Sequence, residues 1–105
     1  MLRASIFVAL AAASGVAAAQ APAPERAEKL AEFVRQDCGF CHGLYLTGGL
    51  GPSLKPDALA DKDIEYLSYV ILNGMGGRAM PGWKPHLSEP EARWIAEQLK
   101  KGLAK

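Results

Sequence analysis

The only two cysteines of this 105-residue chain stand in Cys38-Gly39-Phe40-Cys41-His42. Two thiols separated by two residues, with a histidine directly after the second, form the covalent attachment pattern of a c-type haem. Each thiol adds across one vinyl group of the porphyrin, and two intervening residues let both sulfurs reach neighbouring vinyls. The next side chain then lies under the iron, where His42 can supply the proximal nitrogen. A chain with this motif must build a pocket around it, so the remaining sequence was read for the parts such a pocket needs.

The N-terminus agrees. Met1-Leu2-Arg3 is followed by an apolar run from Ala4 to Ala19, broken only by Ser5, Ser14 and Gly15, and ends in Ala17-Ala18-Ala19 before Gln20. A positive charge, a short apolar stretch and small residues at a cut site describe a secretory signal peptide over residues 1–19. Cleavage after Ala21 also satisfies the small-residue rule but leaves Pro22 first. The alternative of an uncleaved anchor needs a run of about 18 to 20 apolar residues, longer than this one. The expected location is therefore the periplasm, with no stable membrane insertion, where covalent haem attachment takes place in bacteria. Residues 20–24 read as a short flexible leader and 25–105 as a single domain. Small domains rarely bury enough apolar surface without a staple, and a haem would be one. Without Arg3 the acidic and basic side chains balance, which argues against a nucleic-acid partner.

Three helical stretches are expected, and no segment alternates like a half-buried strand. Glu25 to Asp37 carries Ala27, Leu30, Ala31 and Val34 on a stripe that continues onto Cys38. Asp61 to Leu72 opens on a plausible Asp cap, carries Ile64, Leu67, Ser68, Ile71 and Leu72, and stops at Asn73-Gly74. The third starts at Ser88, with Glu91 completing a capping box and Pro90 tolerated in the first turn. It runs to Lys100-Lys101-Gly102, a basic last turn and a glycine stop. Between them lie two long loops, 42–60 and 74–87, of a length that is unusual unless they wrap something.

The second axial ligand is expected to be Met80. It lies in Arg78-Ala79-Met80-Pro81-Gly82-Trp83, where proline fixes the backbone and glycines let the chain fold close to a ring. A neutral thioether stabilises reduced iron and raises its potential, as suits a carrier. Met75, His86 and an open position are the alternatives. Other uses of the cysteines fit worse. A thioredoxin-like site needs a βαβ frame, and a zinc site with His42 and His86 is strained because His42 abuts Cys41. A Cys38–Cys41 disulfide would close too short a loop to stabilise much.

Cys38-Gly39-Phe40-Cys41-His42, Gly51-Pro52-Ser53-Leu54 and Met80-Pro81 resemble, in order, the landmarks of class I cytochromes c. The resemblance covers the domain from the first helix onward. It implies a small all-α fold, with three main helices and long loops wrapped around one covalently bound haem c, and with first and last helices in contact. It also implies that the Pro52 carbonyl accepts a hydrogen bond from His42, and that Trp83 packs beside the haem or serves as a core aromatic. One departure stands out. Many class I chains have a glycine two turns before the first cysteine, where this chain has Leu30 and Ala31, so the helix–helix contact is expected to be spaced differently.

A narrower resemblance is to the NirC-like cytochromes (cytochrome c55X) of denitrification clusters. It is carried by Asp37 to Leu44, Thr47 to Pro52, Met80-Pro81-Gly82-Trp83 and Leu87-Ser88-Glu89. It implies a monomeric one-electron carrier between an upstream donor and a haem cd1-type nitrite reductase. The alternative is an accessory protein in haem d1 biogenesis and maturation of that reductase, and a more remote one is a ligand-binding sensor with an open sixth site. An enzyme is not expected, because residues 74–87 offer no carboxylate as a distal acid or base. The segments Gly43–Pro56 and Gly74–Leu87 carry cations without acids (Lys55, Arg78 and Lys84), while the acids lie on the helices. A neutral-to-positive rim that steers an acidic partner is the expected consequence.

Overall fold

The structure is a computed structural model that describes residues 3–6 and 21–103. Apart from residues 3–6, the expected signal segment lies outside the described residues. The described chain folds as α1 (Pro24–Phe33), a π-helical turn (Val34–Cys38), α2 (Gly39–His42), α3 (Pro56–Leu59), α4 (Ile64–Asn73) and α5 (Glu89–Lys101). No strand occurs among these residues, as the patterning predicts.

The helices α4 and α5 start where side chains satisfy the free N–H groups of a first turn. At α5, Ser88 Oγ accepts from the Glu91 N–H at 3.3 Å, and the Glu91 carboxylate accepts from the Ser88 N–H at 3.0 Å. That is the expected capping box. The α5 helix ends at Gly102, whose φ of +102° lies in the left-handed region, after the basic pair Lys100-Lys101. At α4 the cap is Asp63 rather than Asp61: its carboxylate accepts from the Tyr66 N–H at 2.7 Å. Ahead of α4, the Lys100 ammonium donates to the carbonyls of Leu59 (3.0 Å) and Lys62. Those carbonyls follow α3, a one-turn helix inside the expected first loop, with Pro56 at its first position.

The core is assembled chiefly from three helical stripes. α5 contributes Ala92, Ile95, Ala96 and Leu99, a complete i, i+3, i+4, i+7 face. α4 adds Leu67, Ile71 and Leu72, and the first helical stretch adds Leu30 and Val34. The only buried polar side chain among the described residues, Ser68, is satisfied by donating to the Ile64 carbonyl at 2.7 Å. The first and last long helices do meet, as the family resemblance implies. With bulky Leu30 on the α1 side, the small residues are supplied by α5, whose Ala92 and Ala96 are fully buried. At the rim of this contact the Arg26 Nε donates to Glu91 at 2.5 Å, which holds the Glu91 carboxyl below the usual carboxylate range.

Candidate functional site

The three residues of the attachment motif come from one continuous helical run rather than from the end of a helix and a following loop. α1 does not stop at Asp37. It loosens into the π-turn, in which the Gly39 N–H reaches the Val34 carbonyl five residues back, and tightens again through Cys41 and His42. Cys38 and Cys41 are both free thiols and half-buried. Burial, with lesser contributions from the Asp37 charge and from Cys41, pushes the Cys38 thiol up to about 11. Its sulfur is therefore neutral at physiological pH, and a thioether at the same place is neutral as well.

The loop after His42 folds back onto the helix end that precedes it. The Gly48 N–H donates to the His42 carbonyl at 2.8 Å and the Gly51 N–H to the Cys41 carbonyl at 2.7 Å. Gly43, at φ +96°, makes the reversal, and a Cβ there would lie 2.5 Å from the Gly48 carbonyl oxygen. The result is that Pro52 arrives over the imidazole: His42 Nδ1 and the Pro52 carbonyl oxygen are 2.7 Å apart. A carbonyl only accepts, so Nδ1 is the protonated nitrogen of the neutral ring and Nε2 keeps its lone pair. Gly51 makes the approach possible, since a Cβ on it would lie 2.7 Å from His42 Cε1 and 2.8 Å from Nδ1. Below this, Leu46 is buried with φ +59°, a rare conformation for leucine, and its carbonyl accepts the Leu54 N–H at 2.8 Å.

The second loop is fastened to the end of α4. The Trp83 N–H donates to the Ile71 carbonyl at 2.9 Å and the Lys84 N–H to Leu72 at 3.1 Å. Gly74 and Gly82 allow this: a Cβ on Gly74 would lie 2.7 Å from the Met80 carbonyl oxygen, and one on Gly82 2.6 Å from that of Leu72. Met80 is half-buried at the neck of this loop. Met75 is half-buried too, and its N–H meets the Met80 carbonyl at 3.3 Å, so the two candidate thioethers belong to the same neck. His86 is exposed, its backbone tied to the Trp83 carbonyl at 2.8 Å. Trp83 is half-buried against the core and stands edge-on to Phe33, with centroids 5.1 Å apart and planes at 89°. A cavity of about 380 Å³ opens beside this pair, lined among others by Arg26, Asp37, Trp83 and His86.

These residues fit a haem c. Two thiols separated by two residues lie on one helical stretch, a histidine is already oriented with one nitrogen available, and a thioether sits in a glycine-bracketed loop. The zinc arrangement does not form: no group of three or more metal-binding side chains gathers among the described residues. Two contributors escaped the sequence reading. Gly51 was legible only as half of a Gly-Pro step, whereas the structure makes it the residue that admits Pro52 to the imidazole. Phe33 falls off the apolar stripe of α1, and nothing in its spacing pointed to Trp83. Of the expected rim, Arg78 and Lys84 are exposed and Lys55 is half-buried.

Residues 25–98 match the family described as cytochrome c oxidase, cbb3-type, subunit III. Full-length relatives narrow that description. The chain is 56% identical over 88 residues to cytochrome c55X of Paracoccus denitrificans, covering 84% of this chain and 85% of the relative. It is 44% identical over 90 residues to cytochrome c55X of Stutzerimonas stutzeri, covering 86% and 80%. Among solved structures, the c-type cytochrome NirC superposes with a TM-score of 0.78 at 44% identity, over 80% of this chain and all of that one. The dihydro-haem d1 dehydrogenase NirN, in complex with DHE, matches with a TM-score of 0.61 at 32% identity, over 66% of this chain and 15% of that one. With its helices, its attachment motif and its loops in the order described above, the chain belongs to the NirC-like cytochrome c55X family of c-type cytochromes and has the class I cytochrome c fold.

Proposed function

We propose that this protein is a periplasmic one-electron carrier of denitrification that delivers electrons to a haem cd1-type nitrite reductase. It would hold one haem c through thioethers at Cys38 and Cys41, with His42 as proximal and Met80 as distal ligand. The observation that carries this reading is the His42–Pro52 hydrogen bond of 2.7 Å, which fixes the tautomer and leaves Nε2 as the only ligating nitrogen of the ring. When bound, the haem supplies a one-electron couple whose reduced form is favoured by a thioether ligand. Pro52 keeps the proton on Nδ1, Gly51 leaves room for the ring beside the loop, and the bonds to Ile71 and Leu72 hold the segment after Met80 against α4. A carrier needs such a fixed pair of ligands, since little then moves when the iron changes oxidation state. The second loop supplies no carboxylate to a reacting ligand, which supports a carrier over a catalyst or a sensor with an open site.

Export rests on residues 1–19. Among the described residues no helix is long and apolar enough to cross a membrane. The exposed Arg78 and Lys84, with Lys55 on the other loop, form the rim that would meet an acidic partner. Transfer rates should fall as salt rises, and rates indifferent to salt remove the steering argument.

One observation favours a second reading: the likeness to part of NirN, a dihydro-haem d1 dehydrogenase. In that reading the same haem serves maturation of the reductase. Electron transfer from the reduced protein to purified, complete nitrite reductase separates the two. Turnover fast enough to sustain nitrite reduction supports the carrier. Slow turnover, with unmatured reductase accumulating in cells that lack this protein, supports the maturation role.

A further inference from the structure

Phe33 and Cys38 are five residues apart. In an uninterrupted α-helix, five steps of about 100° would set them about 140° apart around the axis, on different faces. The turn between them is π-helical, and a π-turn bonds residues five apart, which brings such residues onto one side. The irregularity therefore lets one helix present a cysteine and, on the same side, an aromatic ring. That ring stands against Trp83 at 5.1 Å and 89°, the edge-to-face arrangement in which aromatic pairs attract beyond their buried area. Trp83 lies three residues after Met80 and is the first residue whose N–H is bonded to α4. Its other ring neighbour among the described residues is the exposed His86, at 6.1 Å and tilted. Phe33 is thus an aromatic side chain through which the helix of the attachment motif touches the loop of the distal methionine.

We propose that Phe33 is a positioning residue for Met80: through its edge contact with Trp83 it holds the distal loop closed against the helix that carries Cys38, Cys41 and His42. The proposal rests on the reading of Met80 as the distal ligand and adds the element that keeps it in place. Backbone bonds to α4 fix where residues 83 and 84 run, but α4 is not part of the attachment helix. Among the described residues, the Phe33–Trp83 pair is the only aromatic contact that joins the two. Removing the ring should raise the fraction of molecules with the loop open, and an external ligand reads that fraction directly as apparent affinity.

The test uses the haem-loaded protein in its oxidised form, as wild type, Phe33→Ala, Phe33→Tyr and Met80→Ala. Two quantities are measured on each: the weak far-red sulfur-to-iron band, and the binding of imidazole as it displaces the thioether. Helix content and global unfolding are recorded on the same samples by far-ultraviolet circular dichroism. The expected result is that Phe33→Ala binds imidazole roughly tenfold more tightly, the order expected for loss of one aromatic pair, and loses the band well below the temperature at which its helices melt. Phe33→Tyr keeps an edge and should behave as wild type. If the band survives in Met80→Ala, the distal assignment fails and the proposal fails with it. If the band vanishes in Met80→Ala but Phe33→Ala binds imidazole as wild type does, the assignment stands and the proposal alone is overturned. A band that disappears only together with the helices of Phe33→Ala also overturns it, because Phe33 would then be ordinary core. Should Phe33→Ala fail to accumulate, Phe33→Leu, which keeps apolar bulk without a ring, is read by the same criteria.

Discussion

The two loops that flank the site are built on opposite plans. The first, after His42, is stitched to its own helix along its length: Gly48 bonds to His42, Gly51 to Cys41, Leu54 to Leu46, and Pro52 closes on the imidazole. Three of its glycines would each drive a Cβ into backbone or ring within 2.8 Å. The second loop is fastened at its neck, by Gly74, Gly82 and the bonds from Trp83 and Lys84, while Gly76 and Gly77 at its tip have nothing within 4 Å. On the proposed ligand assignment, such a site would have a proximal half fixed by folding and a distal half fixed by closure. The difference teaches where a redox centre of this size can tolerate change.

Three experiments bear on that contrast. Met80→Ala has the largest expected effect, complete loss of the far-red sulfur-to-iron band in the oxidised protein with the helical circular dichroism retained, since the neck does not depend on the thioether. A band that persists would move the ligand to Met75. Next comes Gly43→Ala, which combines a forbidden backbone angle with a clash against the Gly48 carbonyl. Denaturant unfolding should show a loss of about 3 kcal/mol, and a loss below about 1 would mean the first loop is less rigid than its bonding suggests. The matching change at the tip, Gly77→Ala, also sits at positive φ, +74°, but meets no neighbour. Its cost should be about 1 kcal/mol, from backbone conformation alone. A cost equal to that of Gly43→Ala would erase the distinction between the loops.

The smallest effect concerns pH and leaves both loops alone. Glu91 has its carboxyl lowered chiefly by the hydrogen bond from Arg26 and further by Ser88. A lowered pKa in the fold contributes stability that is present above the unfolded value, near 4.5, and is lost as pH falls through the folded one. Arg26 is well exposed, so the ion pair itself should be worth only a few tenths of a kcal/mol. Thermal midpoints of wild type and Glu91→Gln should converge on acidification below about pH 4.5, and parallel curves there would remove Glu91 as the source.

Much of this was legible in the chain because it rests on local chemistry. The capping box at Ser88, the glycine stop at Gly102 and the attachment motif are each set by residues close in sequence. Asp61 and Asp63 are both acidic residues ahead of an apolar run, so spacing alone does not separate them, and it is Asp63 that accepts the Tyr66 N–H. The short helix at Pro56 had its proline signal but too few residues for a periodicity. The π-turn has no sequence signature of its own: it follows from where Phe33 and Cys38 must each face, a tertiary demand. Leu46 at positive φ is illegible for the same reason, since only the surrounding core makes a left-handed leucine tolerable.

The contact between Gly51 and the His42 ring also bears on how the holoprotein is assembled. Gly51 leaves room for the ring to sit where a Cβ would lie 2.7 Å from Cε1, and in that place a half-turn of the imidazole would give up the hydrogen bond from Nδ1 to the Pro52 carbonyl. The ring's choice of nitrogen is therefore made while the polypeptide folds, and the side-chain entropy is surrendered at that stage rather than on metal binding. Haem capture then meets a template with one donor already aimed, so exchanging Gly51 for a larger residue is a change in the order of assembly as well as in stability.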